Sequence, residues 1–79
     1  MQIKNDEIST LYRRIGLKVK EIREQNNMTQ LELSLEMGYK SVSLISAAEL
    51  CSDNKHFNIE HLYKISQIFN IEMDFFFKK

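Results

Sequence analysis

Three side chains in this sequence are of the kinds that ligate metals or act as nucleophiles: Cys51, His56 and His61. A structural zinc site takes four closely spaced ligands, commonly with cysteines in pairs. Here one thiol precedes two histidines that stand five residues apart, with no acidic cluster at ligand spacing beside them. The two histidines straddle an expected helix start, and His61 reads as a helix-surface residue. Pairing Cys51 with either histidine as a catalytic couple has no better support, and Cys51 reads as a small residue at a helix end. Gly16 and Gly38 are the only glycines, so neither a Gly-rich phosphate loop nor a nucleophile elbow is present. The residues point to no catalytic group, metal, cofactor or small-molecule ligand.

Charge gives a second candidate chemistry, the binding of anions. Eleven Lys/Arg balance eleven Asp/Glu, so the chain lacks the overall basic charge common in nucleic-acid-binding domains. The distribution is uneven: Arg13, Arg14, Lys18, Lys20 and Arg23 are opposed within their stretch by Glu21 alone. A local positive face is compatible with a zero total, and so is a plain solvated helix face.

The elements that would carry these residues follow from spacing. The length of 79 residues suits one domain, 1–79, with a core at about 8–77. Proline is absent and glycine scarce, which favours helices over sandwiches and barrels. A first helix is predicted from near Asn5 to Gln25, with Ile8, Leu11, Ile15, Val19 and Ile22 as an apolar stripe. Gly16, costing about 1 kcal/mol there relative to Ala, marks either a bend or the start of the packed part. Thr29 and Glu32 form a capping box that opens a second helix, running to Met37, with Met28 and Leu33 as a hydrophobic staple. Gly38 suits a left-handed C-terminal turn.

Ser41 is expected to cap a third helix to about Leu50, with Ile45 and Ala48 inward and Ser43, Ser46 and Ala47 outward. A loop over 51–57 follows. Asn58 then caps a fourth helix with Phe57 and Leu62 as its staple and Leu62, Ile65, Ile68 and Phe69 as its buried face. A short fifth helix is predicted over 71–77. Two short helices joined by a glycine-bearing turn, here about 29–50, are a helix-turn-helix arrangement. No apolar run approaches the roughly 20 residues that span a bilayer. One thiol and no signal-like segment lead to an expected cytoplasmic location.

The stretch Thr29-Gln30, Gly38-Tyr39-Lys40-Ser41, Ile45-Ser46 and Glu49 resembles the lambda-repressor/Cro-like (XRE) family of bacterial and phage regulators. The similarity runs from about Gly16 to Phe77, taking in Leu17–Arg23 and the closing run from Ile59 to Asp74. It implies an all-α, compact five-helix DNA-binding domain that acts on double-stranded DNA, as a repressor, without catalysis. In that family the glutamine opening the second helix holds the DNA backbone and braces the recognition helix, and Gln30 matches it. The third helix lies in the major groove, which nominates Ser41, Val42, Ser43, Ser46 and Ala47. Lys40 and, in the following loop, Asn54 and Lys55 are nominated for phosphates. The family's paired arginine and glutamate correspond to Arg23 and Glu49, an expected structural salt bridge.

The sequence also departs from the family. Where members often carry Gln or Arg there is Val42, where they carry Lys or Arg there is Ala47, and the usual Asn-Gly is Leu50-Cys51. The presumed recognition helix thus lacks the residues that best discriminate guanine and adenine. A second reading therefore stands beside the regulator: a helix-turn-helix domain used as a protein-interaction adaptor, with weak or no DNA binding. Phe75, Phe76 and Phe77 cannot all enter one small core, so a homodimer contact is expected there.

Overall fold

The apolar spacing of three and four does wind into a long helix, α1 (Asn5–Gln25), in the computed structural model, which describes residues 2–79. Its buried stripe is shorter than expected. Ile15, Val19 and Ile22 are buried and Leu11 half-buried, whereas Ile8 is 43% exposed because the first turns of α1 project past the core. Gly16 marks no bend. A Cβ built there would lie 2.6 Å from the Glu49 carbonyl oxygen and 2.9 Å from that of Ala48. α1 therefore crosses the end of a later helix at backbone contact, and only glycine leaves the room.

Helix α2 (Gln30–Glu36) opens with the expected reciprocal cap. The Thr29 hydroxyl accepts the Glu32 amide at 3.0 Å, and the Glu32 carboxylate accepts the Thr29 amide at 2.8 Å. The Thr29 backbone and hydroxyl bonds hold the Glu32 carboxyl below its ordinary pKa. Gly38, at φ 93°, makes the left-handed exit.

Helix α3 (Ser43–Leu50) begins later than predicted. Val42, already turned at φ −81° and ψ −7°, occupies the cap position and supplies no side-chain cap. Ser41 is displaced from that role, its hydroxyl reaching the Ser43 amide only at 3.4 Å. Its carbonyl instead accepts the hydroxyl of buried Ser34, which ties the turn to α2. Ile45 and Ala48 face inward as expected, but Ser46 and Ala47 are half-buried rather than outward. The segment after α3 is a tight 3-10 turn (Ser52–Asn54) entered through Cys51 at φ 56°. Asp53 and Asn54 are left-handed too, a conformation those two residue types accept more readily than most.

Helix α4 (Ile59–Phe69) is capped at Asn58, and His61 is part of the cap. The Asn58 amide donates to His61 Nδ1 at 3.0 Å, while Asn58 Oδ1 accepts the His61 amide at 2.8 Å. The half-buried imidazole is thus a neutral acceptor, with burial pushing its pKa below the ordinary value, and not the plain surface residue predicted. Leu62 and Ile65 are buried, while Ile68 and Phe69 pack at the edge of the core.

The predicted fifth helix is a single 3-10 turn (Met73–Phe77). Phe76 is fully buried inside the chain, which removes it from the expected dimer contacts. Phe75 is half-buried beneath the Lys18 ammonium, 5.1 Å from its ring, and Phe77 remains 44% exposed. The architecture among the described residues is therefore four α-helices and two 3-10 turns, with no strand. None of these helices is long and apolar enough to cross a membrane.

Gly16→Ala should destabilise the domain although alanine is the better helix former, because the crossing must open. Each kcal/mol lost lowers the Tm of a domain this size by about 4–8 °C. An unchanged or higher Tm in a thermal melt would mean that α1 and α3 do not depend on this close approach.

Candidate nucleic-acid interface

Three elements converge on one buried carboxylate. Arg23, near the end of α1, donates from Nε to Glu49 Oε2 at 2.8 Å and from Nη2 to Oε1 at 3.0 Å. Its Nη1 donates to the Met28 carbonyl at 2.8 Å. Gln30, first residue of α2, donates from Nε2 to Glu49 Oε1 at 2.9 Å. Arg23 is 7% and Glu49 3% exposed, so the pair is desolvated as well as bidentate. The bond to Glu49 raises the Arg23 pKa above its already high ordinary value.

This network fixes the C-terminal end of α3, and the Ser34–Ser41 bond fixes its approach. Between these anchors the start of α3 presents its cap residue Val42, 36% exposed, and exposed Ser43. The Ser46 hydroxyl donates to the Ser43 carbonyl at 3.2 Å, which leaves it chiefly as an acceptor. Beside this face runs a shallow groove lined by Tyr39, Lys40, Ser41, Ser43, Leu44 and Lys55. Four residues nominated from sequence are thus brought together: Lys40, Ser41, Ser43 and Lys55. Asn54 lies apart, in a neighbouring groove that it shares with Lys55.

Gln30 is half-buried, with its amide nitrogen committed to Glu49 and its carbonyl oxygen uncommitted. Sequence reasoning missed Tyr39 and Leu44 in the groove wall and Ser34 behind it. For Ser34 the available signal was its place next to Leu33 on the inward side of α2.

The cationic run 13–23 does not form one face. Arg23 turns inward, Lys18 pairs with Glu21 at 3.8 Å, and Lys20 lies beside Glu21 and Glu24. Among the described residues, Lys40 and Lys55 enter no ion pair, and no acidic residue lines their groove. Nor does any group of three or more His, Cys, Asp or Glu stand where it could hold a metal. His56 stacks on Tyr12 with ring centroids 3.7 Å apart, His61 caps α4, and burial raises the pKa of the Cys51 thiol.

Removing one partner of the buried pair strands the other charge. Arg23→Ala or Glu49→Ala should therefore cost about 3–5 kcal/mol. Gln30→Ala, which leaves both arginine bonds in place, should cost nearer about 1 kcal/mol. Urea unfolding of the three variants separates these values; equal losses would show that Glu49 depends on Gln30 as much as on Arg23.

No characterised protein and no solved structure gives a significant match to the chain. The family profile described as Helix-turn-helix matches residues 19–76, beginning within α1 and spanning α2, the turn, α3, α4 and most of the last 3-10 turn. With α2 and α3 joined through Gly38 and locked by Arg23, Gln30 and Glu49, the chain belongs to the lambda-repressor/Cro-like (XRE) helix-turn-helix family of DNA-binding regulators.

Proposed function

We propose that this domain is a transcriptional repressor that occupies an operator by placing α3 in the major groove of double-stranded DNA. The observation that carries this reading is the anchored start of α3, where exposed Ser41 and Ser43 adjoin two cations, Lys40 and Lys55, that enter no ion pair among the described residues. Ser41, Val42 and Ser43 would meet base edges, with Ser46 and Ala47 further along the same helix. Hydroxyls bond several bases, and the Val42 methyls suit a thymine methyl. Lys40 and Lys55 would neutralise phosphates, with Asn54 beside them, and the Gln30 carboxamide would hold the backbone while bracing Glu49. Discrimination is expected to be modest, because α3 carries no Arg, Lys, Asn or Gln.

That same absence, with the formal charge of zero, favours the second reading, a protein-interaction adaptor. The two readings separate in duplex titrations at several salt concentrations after site selection from random sequence. Each phosphate neutralised contributes about −0.9 to the slope of log affinity against log salt. Lys40→Ala or Lys55→Ala should flatten the slope by about that amount for every sequence. Ser43→Ala should change preference at one or two base positions and leave the slope unchanged. Failure of the unaltered protein to bind any duplex at low salt would favour the adaptor.

Operators of this family's kind are read by two domains related by a two-fold axis, so a homodimer is part of the proposal. Phe77, Ile8 and Ile59 support it. All three are exposed apolar residues, and they line one groove between α1 and the start of α4. In the dimer the two copies of α3 would stand about 34 Å apart, one DNA turn. Light scattering at tens of micromolar should show a dimer, and Phe77→Ser should shift it toward monomer. A protein that stays monomeric there, with or without DNA, argues against the dimer.

A further inference from the structure

A second groove lies next to the one beside α3, and Lys55 lines both. One wall is the projecting start of α1, with Ser9, Tyr12 and Arg13. The other is the turn after α3, with Asn54, Lys55 and His56. The near-parallel stack of Tyr12 on His56 holds the two walls together. Arg13 is exposed, and its one side-chain hydrogen bond is a long contact to the Thr10 hydroxyl at 3.4 Å.

Among the described residues Arg13 enters no ion pair, and no acid lines this groove. Although the chain has as many acids as bases, these two adjoining grooves carry Lys40, Lys55 and Arg13 with no acid in their lining, and exposed Asp53 is the acid beside them in the turn after α3. Two open grooves that share Lys55 suit an extended polyanion better than a small enclosed anion.

We propose that the start of α1 is a second backbone clamp, in which Arg13, together with Lys55, takes phosphates of the DNA strand flanking the segment read by α3. The inference rests on the DNA-binding reading above and extends the footprint beyond α3. Arg13 supplies a guanidinium fork suited to phosphate oxygens. Its position on a continuous helix anchored at Arg23 sets its distance from α3.

Labelled duplexes of two lengths test this, one covering only the bases under α3 and one extended on both flanks. On the long duplex Arg13→Ala should flatten the salt slope by about 0.9, and Arg13→Lys should restore it. On the short duplex Arg13→Ala and the unaltered protein should bind alike. Lys20→Ala, altering a lysine that sits beside Glu21 and Glu24, should change neither slope. Thermal melts of each variant check that the fold is kept, and the comparison of duplex lengths by the unaltered protein needs no variant. Equal affinity and slope for Arg13→Ala on the long duplex, with Lys40→Ala still flattening it, would overturn the clamp and leave the DNA reading standing. An equal loss on both duplexes would overturn the flanking placement. If the unaltered protein binds neither duplex, the DNA reading fails and the clamp with it.

Discussion

Arg23 and Glu49 meet in a bidentate bond that sets how α1 and α3 lie against each other. Both charges are out of water, a state that costs several kcal/mol per ion unless the geometry compensates. Compensation comes from completeness. Glu49 receives three donors, two from Arg23 and one from Gln30, while Arg23 spends a further donor on the Met28 carbonyl. Such an arrangement tolerates little displacement. It dictates how closely α1 approaches the end of α3, and Gly16 is the residue that makes that approach sterically possible.

Anchoring at the two ends shapes what α3 offers. Its inner face is committed to the core through Ile45 and Ala48, and its last turn to the ion pair through Glu49. Free polar chemistry is thereby confined to the start of the helix and the turn before it, where Ser41 and Ser43 lie beside Lys40. In the proposed DNA reading, a helix with few directional donors relies on being held still. Rigid placement of weak contacts reduces the side-chain ordering that binding would otherwise require.

Much of the local chemistry was legible in the sequence, where partners lie within a few residues. The Thr29–Glu32 cap, the Gly38 turn and the Asn58 cap all close within one helical turn. Arg23 and Glu49 are twenty-six residues apart, and only the family resemblance joined them. What escaped was set by tertiary packing. Nothing local indicates that Gly16 meets two carbonyls of α3, or that Ile8 lies beyond the core. His61 escaped for a local reason instead: its partner Asn58 is three residues away, but an imidazole is an unusual stand-in for the Glu or Gln of a capping box. The turn chemistry around Ser41 misled for a related reason: a serine before a helix reads as its cap, yet its carbonyl was claimed by Ser34. At the C-terminus three consecutive phenylalanines gave no clue to which ring the core would take.

The equality of acids and bases has a consequence that composition conceals. The Arg23–Glu49 pair cancels internally, and three surface pairs cancel in place. What survives beside α3 is positive, so an equal negative excess must occupy the remaining surface. Such a molecule has almost no monopole, and its uneven charges leave it a dipole. A nearby polyanion exerts little net pull on it and chiefly a torque, turning the cationic side forward in the last approach. Torque and attraction both act only within roughly a Debye length, about 8 Å in physiological salt. Encounters are sorted by orientation rather than multiplied by charge, and the protein gains little of the indiscriminate adhesion that a basic total would bring.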